Sequence, residues 1–177
     1  MSSTKIVTGK TRLSYVNLLT PRAQEEGKEP KYSVCILIPK SDTKTVNAIK
    51  AAIEVAKEAG KALWGGKLPP GLKMPLRDGD TERDGPEYAG HWFINASSKR
   101  KPQIVDNNVQ PILDAGEVYS GMYARVSINF YAYNQAGNRG VAAGLNNVQK
   151  VADGAPLGSA AARAEDEFSA VEEDFLS

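Results

Sequence analysis

The sequence contains little of the side-chain chemistry on which most enzymes depend. Its 177 residues include one histidine and one cysteine. A lone cysteine forms no internal disulfide, and it lacks the second thiol of a zinc-binding CxxC pair. Cys35 lies inside the apolar run YSVCILIP and is predicted to be a buried small hydrophobe. We therefore expect no cofactor, no metal site and no catalytic activity.

Long apolar runs are also missing. No stretch approaches the roughly 18 apolar residues that a membrane span needs, and the first residues, MSSTKIVTGK, lack the apolar centre of a signal peptide. These absences predict a cytosolic protein.

The formal net charge of +1 conceals two regions of opposite sign. From residue 153 onward, seven acids stand against Arg163 alone, so this stretch carries −6 and residues 1–152 carry +7. The acidic stretch is rich in Ala, Gly and Ser and has few apolar residues, a composition typical of disorder. The sequence therefore predicts a folded domain over 1–152 and a flexible acidic C-terminal tail over 153–177.

Most of the folded region is predicted to form β-strands. One amphipathic helix is expected over 41–60, with a Ser41 or Asp42 cap and Gly60 as its end. The irregular, glycine-rich segment 65–90 is expected to be functional because of its length. Strands are predicted for 4–19 (one long strand or two sharing a bend), 31–39, 91–97, 103–106 and 118–133, with a hairpin returning through 139–151.

The long strand predicted for 118–133 has two different faces. Met122, Ala124, Val126, Ile128 and Phe130 form an apolar side. The other side carries Tyr119, Tyr123, Arg125, Asn129, Tyr131 and Tyr133. Tyrosines beside an arginine are suited to stacking on bases and holding phosphates. The alternative is that these tyrosines are good strand formers that pack under a loop or the helix.

A second aromatic cluster lies beside a basic turn. The run YAGHWFINASSKRKP brings Tyr88, His91, Trp92 and Phe93 close in sequence to Lys99, Arg100 and Lys101. Rings and cations together supply both contacts that single-stranded nucleic acid requires. Trp92 shares a face with Ile94, so alternation predicts that His91 and Phe93 are exposed, while inward packing of the rings remains the alternative.

Motifs typical of nucleotide or metal sites are incomplete. TKIVTGKT ends like a phosphate-binding loop, but Thr4 replaces its first glycine. RDGDTERDGPEY has calcium-loop spacing, but His91 stands where a bidentate glutamate is needed. A metal-dependent nuclease using Asp78, Asp80 and Glu82 is a distant alternative.

Several stretches together resemble a known family. VTGKTRLSYVNL, KYSVCILIPKSD, PLRDGD, YAGHWFINASSKRKP and VYSGMYARVSINFYAYNQAGNRGVAAGLNNVQKV, with the acidic end, are similar to the phage-encoded single-stranded DNA-binding proteins. The resemblance covers 5–157. It implies an OB-fold Greek-key barrel, mainly β with one helix, that coats single-stranded DNA in phage replication or recombination in the bacterial host cytoplasm. One feature departs from that fold, because the predicted helix follows two strand segments instead of three. A bend that divides residues 4–19 into two strands would restore the usual order.

Residues and resemblance together predict a sequence-tolerant single-stranded DNA-binding protein. Segment 65–90 would supply a flap over the DNA groove. The residues expected to contact DNA are Arg77, Tyr88, His91, Trp92, Phe93, Lys99, Arg100, Lys101, Tyr119, Tyr123, Arg125 and Tyr131. The tail is expected to compete with DNA for the groove and then to dock on a replication or recombination protein through Phe168, Glu172, Glu173, Asp174 and Phe175. The main alternative is a phage structural or assembly protein whose tyrosines face another subunit.

Overall fold

The computed structural model describes residues 4–23, 27–135 and 138–157. The tail residues proposed for partner docking, 168 and 172–175, lie outside the described residues. Two α-helices are present in the described chain, α1 (Thr43–Gly60) and the single-turn α2 (Gly79–Glu82), together with three short 3-10 helices. The strands are β1 (Lys5–Val7), β2 (Thr11–Arg22), β3 (Lys31–Pro39), β4 (Arg77–Asp78), β5 (His91–Ser98), β6 (Gln103–Val105), β7 (Tyr123–Gln135) and β8 (Asn138–Ala152).

Strands β2, β3, β5, β8 and β7 pair in that order, and β7 returns to β2 to close a barrel. All of these pairs are antiparallel except β5 with β8, which is parallel. A closed five-stranded barrel with this Greek-key order is the OB-type architecture. The predicted fold class, a mainly β OB-like barrel with one main helix, is confirmed.

Alternating side chains fill the barrel. On β7 and just before it, Met122, Ala124, Val126, Ile128 and Phe130 are all at most 1% exposed, so the predicted apolar side of this strand is confirmed. On β3, Val34, Ile36 and Ile38 point into the same core, while Lys31, Ser33 and Cys35 point outward. The outer face of β3 is therefore available to build a site.

Helix α1 closes the barrel against β7 and β8. It begins after Asp42, whose carboxylate accepts a hydrogen bond from the Thr45 amide at 3.2 Å, and it ends at Gly60. A Cβ atom at Gly60 would overlap Ala132, so only glycine allows this close approach. Trp64 then fixes the following turn by donating to the carbonyl of Tyr133 at 3.1 Å. Within the described ranges, neither helix combines the length and hydropathy of a membrane span.

The region 4–19 does divide into two strands, β1 and β2. However, β1 pairs only with β7 and lies outside the closed ring, so α1 follows the second barrel strand. The division into two strands therefore does not move the helix to its usual OB position after the third strand.

The chain keeps contact with the barrel beyond the predicted domain boundary at 152. Asp153 accepts a hydrogen bond from the Tyr119 hydroxyl at 2.8 Å. The carbonyl of Ala155 accepts from Arg12 at 2.6 Å, and the Leu157 amide donates to the carbonyl of Ser120 at 3.0 Å. Contacts with the barrel therefore extend to the last described residue.

Candidate nucleic-acid interface

A groove of about 480 Å³ crosses the outer faces of β2, β3 and β5. Its floor consists of short side chains, because strand pairing places Ser33 opposite Ser97 and Cys35 opposite Asn95. Small polar residues leave room above the sheet and offer hydrogen bonds. In OB barrels this face, formed by the second and third strands, is the one that binds oligonucleotides.

The rim of the groove is basic and carries one exposed ring. Among the described residues that line it, Arg22, Lys28 and Lys31 stand against one acid, Glu29, and Tyr15 is 64% exposed beside them. The sequence did not predict this cluster because YSVCILIP was interpreted as an apolar run. The alternation of Lys31 and Ser33 on one face is the signal that would have found it.

The backbone conformation of Tyr15 is unusual. Its φ is 47°, in the left-handed region, at an irregularity in the pairing of β2 with β3 between Ser14 and Asn17. Bulges of this kind redirect a side chain from the regular alternation, and strained backbone concentrates at functional sites. Here the bulge leaves the Tyr15 ring exposed at the edge of the groove.

The predicted basic turn lies at the end of this groove. Lys99, Arg100 and Lys101 directly follow β5 and are exposed. Lys99 forms an ion pair at 3.2 Å with Glu29, which itself lines the groove. The turn therefore adds its positive charge to the same rim.

Tyr88 and Phe93 form a buried cluster over the far end of β3 and β5. They are 4% and 1% exposed, with ring centroids 5.3 Å apart in an edge-to-face arrangement, and they pack with Cys35 and Leu37. The prediction that Phe93 is exposed is wrong. Phe93 does point outward from the barrel, but the segment preceding β5 folds back and covers it.

Burial changes the ionisation of this cluster. It raises the pKa of the Cys35 thiol to about 11, with a hydrogen bond from Tyr88 opposing the change. It also raises the pKa of Tyr88 to about 12. Both groups stay neutral at physiological pH, and the predicted burial of Cys35 is confirmed at 2% exposure.

Arg77 and the acids after it are paired with one another or with Lys40. Lys40 Nζ lies 2.7 Å from both Asp78 and Asp80, and Arg77 lies 2.7 Å from Glu82. Hydrogen bonds from these bases lower the pKa of all three carboxyls. The three carboxylates are held by cations of the protein itself.

Trp92 and His91 lie away from the groove floor. Trp92 points toward the main core and is half-buried, with the ammonium groups of Lys40 and Lys50 5.1 and 5.3 Å from its ring centroid. His91 is also half-buried, and its Nδ1 lies 2.8 Å from the carbonyl of Ala89.

The predicted tyrosine platform does not lie beside the groove floor. Tyr123, Arg125 and Tyr131 are on the outer face of β7, and none of them lines the groove. Strand β7 pairs with the first residues of β2, at Thr11 and Arg12, but not with β3 or β5. Tyr119 precedes the strand, and hydrogen bonds to Asp153 and Gly154 hold its hydroxyl. The structure thus separates the two clusters that the sequence analysis had combined.

Comparisons with known proteins agree on one family. A family model described as "Enterobacter phage Enc34, ssDNA-binding protein" matches residues 4–176. Protein p50 of Acyrthosiphon pisum secondary endosymbiont phage 1 is 36% identical over 186 aligned positions, which cover 97% of this chain and 98% of p50.

Solved structures extend this likeness to the fold. The single-stranded DNA-binding protein from bacteriophage Enc34, in complex with ssDNA, superimposes with a TM-score of 0.78 at 29% identity, over 88% of this chain and 90% of that one. The single-stranded DNA-binding protein gp2.5 of bacteriophage T7 gives a TM-score of 0.63 at 19% identity, over 97% of both chains. At that identity, the T7 protein supports the fold alone.

Proposed function

This chain belongs to the Enterobacter phage Enc34 ssDNA-binding protein family, and we propose that its groove across β2, β3 and β5 binds single-stranded DNA. The observation that best supports this proposal is the groove itself. It has small polar residues on its floor, three bases on its rim and the exposed ring of Tyr15 beside them. Cations that track a phosphate backbone beside a ring that stacks on any base give affinity without sequence preference.

The proposed role is to coat single-stranded DNA during phage replication or recombination in the host cytoplasm, without catalysis. The engagement of Asp78, Asp80 and Glu82 by Lys40 and Arg77 favours this role over a nuclease, because those carboxylates already have cationic partners. A phage assembly protein remains the competing class, and the groove favours DNA because its rim is cationic.

Electrophoresis of the full chain with a labelled oligonucleotide, with and without Mg²⁺, tests this role. We expect retarded, intact oligonucleotide in both conditions. The logarithm of the binding constant should fall with the logarithm of the salt concentration, with a slope of about −0.7 per phosphate neutralised. Degradation that requires Mg²⁺ would indicate a nuclease. An oligonucleotide that is neither retarded nor degraded would favour an assembly protein.

We also propose that the acidic tail competes with DNA for the groove. Leu157, the last described residue, packs on the cluster of Cys35, Leu37, Tyr88 and Phe93, and Cys35 also lines the groove. The tail therefore starts beside the end of the groove at which Cys35 lies. Residues 158–177 hold six acids and Arg163, a polyanion attached beside a cationic site.

Ending the chain after Leu157 should strengthen DNA binding. The deletion raises the formal charge from +1 to +6 and keeps the contacts of residues 153–157. We expect tighter binding at low salt and a smaller difference as salt screens the competition over a Debye length of about 8 Å at physiological ionic strength. Equal affinities of the full-length and shortened proteins at low salt would contradict the competition.

Partner docking by the tail is tested separately. Replacing Phe175 with alanine leaves the charge intact, so it should weaken binding to a phage replication or recombination protein and leave DNA affinity unchanged. Unchanged binding to that protein would contradict the docking role, and a loss of DNA affinity would show that Phe175 contributes to DNA binding instead.

A further inference from the structure

The outer surface of β7 and its neighbours is cationic and carries exposed tyrosine. The strands β1, β2, β7 and β8 contain no Asp or Glu, although together they include Lys5, Arg12, Arg125 and Arg139. Tyr131 is 45% exposed on this surface. A surface of this composition is complementary to a polyanion that presents flat rings.

The tyrosines and cations of this surface are close together. Lys10 Nζ lies 4.7 Å from the ring centroid of Tyr123, and the Arg12 guanidinium lies 5.7 Å from it. Arg125, two residues along β7, is exposed and donates to the carbonyl of Thr8 at 3.2 Å. The row from Tyr123 to Tyr131 therefore has a ring at each end and the cation of Arg125 between them.

Strand pairing connects this row to the groove. Ser97, on the groove floor, pairs with Gly144 of β8, and Gly144 pairs with Asn129 of β7. Tyr131 pairs with Ala142 in the same way. Between the groove and the tyrosines, β8 thus presents only a hydrogen atom and a methyl group at Gly144 and Ala142. The side-chain amide of Asn129 lies over Gly144, with its Oδ1 2.9 Å from where a Cβ atom would stand, so a strand that crosses here meets a polar group that can form hydrogen bonds.

We propose that single-stranded DNA longer than the groove crosses β8 over Gly144 and Ala142 and stacks on Tyr131 of β7. This inference rests on the proposed function and extends its site part of the way around the barrel. The groove binds a short oligonucleotide by itself. The β7 surface adds affinity only when the strand is long enough to reach it.

Single-stranded DNA fits this surface better than the other available occupants. A second copy of the chain would be joined through a surface that bears positive charge on both sides, and like charges oppose such a contact. A strand that already lies in the groove reaches Ala142 and Tyr131 as a continuation of the same molecule, so its second contact is intramolecular.

Binding of oligo-dT of about 6 and about 20 nucleotides to the full chain tests the path, since one OB fold covers about 4 to 16 nucleotides. We expect Tyr131→Ala and Ala142→Glu to bind the longer oligonucleotide about tenfold more weakly, the scale of one lost stacking contact, and the shorter one as wild type does. Tyr131→Phe keeps the ring and should keep the affinity. Ala51→Glu makes the same charge change at an exposed position of α1 and should leave length dependence unaltered.

Four outcomes would overturn the path. The first is wild-type affinity of Tyr131→Ala and Ala142→Glu for the longer oligonucleotide. The second is equal loss at both lengths, which would make the surface a primary site or indicate a general defect that thermal unfolding would reveal. The third is a changed sedimentation mass in these variants, which would assign the surface to a second copy. The fourth, no binding by the wild type at either length, would reject the proposed function itself.

Discussion

Truncating Phe93 to alanine is expected to lower the free energy of unfolding by about 3 to 5 kcal/mol, the usual cost of removing a buried phenylalanine. The ring is 1% exposed and packs edge-to-face on Tyr88, with the guanidinium groups of Arg77 and Arg83 5.3 and 4.8 Å from its centroid. Its loss leaves a cavity between the outer face of the sheet and the segment that covers it. Urea unfolding followed by circular dichroism measures the change.

Leu113 provides the matched control. It is 93% exposed, so the same truncation to alanine should change the stability by less than about 0.5 kcal/mol. If Phe93→Ala instead unfolded like wild type and lost DNA affinity, the ring would be a DNA contact, as the alternation of β5 had suggested.

The elements of the barrel could be predicted because local patterns determine them. The Asp42 cap and the apolar stripe of α1 lie within one segment, and so does the inner face of β7. The partners of an outward-facing residue depend on distant parts of the chain. Alternation correctly placed Phe93 on the outer face, but nothing near it in sequence indicates that Tyr88 returns to cover it.

The candidate site could be predicted only in part, for the same reason. The basic turn 99–101 was found because its charges are consecutive, whereas the bases Arg22 and Lys31 come from two strands that meet only in the folded sheet. The exposure of Tyr15 depends on a bulge in the pairing of β2 with β3, and the residues around Tyr15 do not predict that bulge. Tyr123 and Tyr131 do share the outer face of β7, as predicted. However, the strand order of the closed barrel places them outside the groove floor.

Reversing the charge of two groove bases should have the largest effect on DNA binding. Arg22 and Lys31 pair across β2 and β3 and both line the groove. Changing both to glutamate replaces two attractions to phosphate with two repulsions. We expect binding about 100-fold weaker near physiological salt and a log-log salt slope shallower by about 1.4, because each lost phosphate contact removes about 0.7. Fluorescence anisotropy across a salt series gives both quantities.

The matched control separates the groove from the overall charge. Lys44→Glu with Lys67→Glu makes the same change in net charge at two exposed positions outside the groove, so it should weaken binding slightly and keep most of the slope. Tyr15→Ala removes a ring without changing the charge, so it should cost about 1 to 3 kcal/mol of binding at every salt concentration and leave the slope unchanged. Equal losses from the two charge reversals would mean that the protein attracts DNA only through its net charge, and a silent Tyr15→Ala would remove the stacking contact from the groove. A reversal at Arg22 and Lys31 that flattens the slope, together with a Tyr15 effect independent of salt, would identify the groove as a surface where phosphate and base are bound by different side chains.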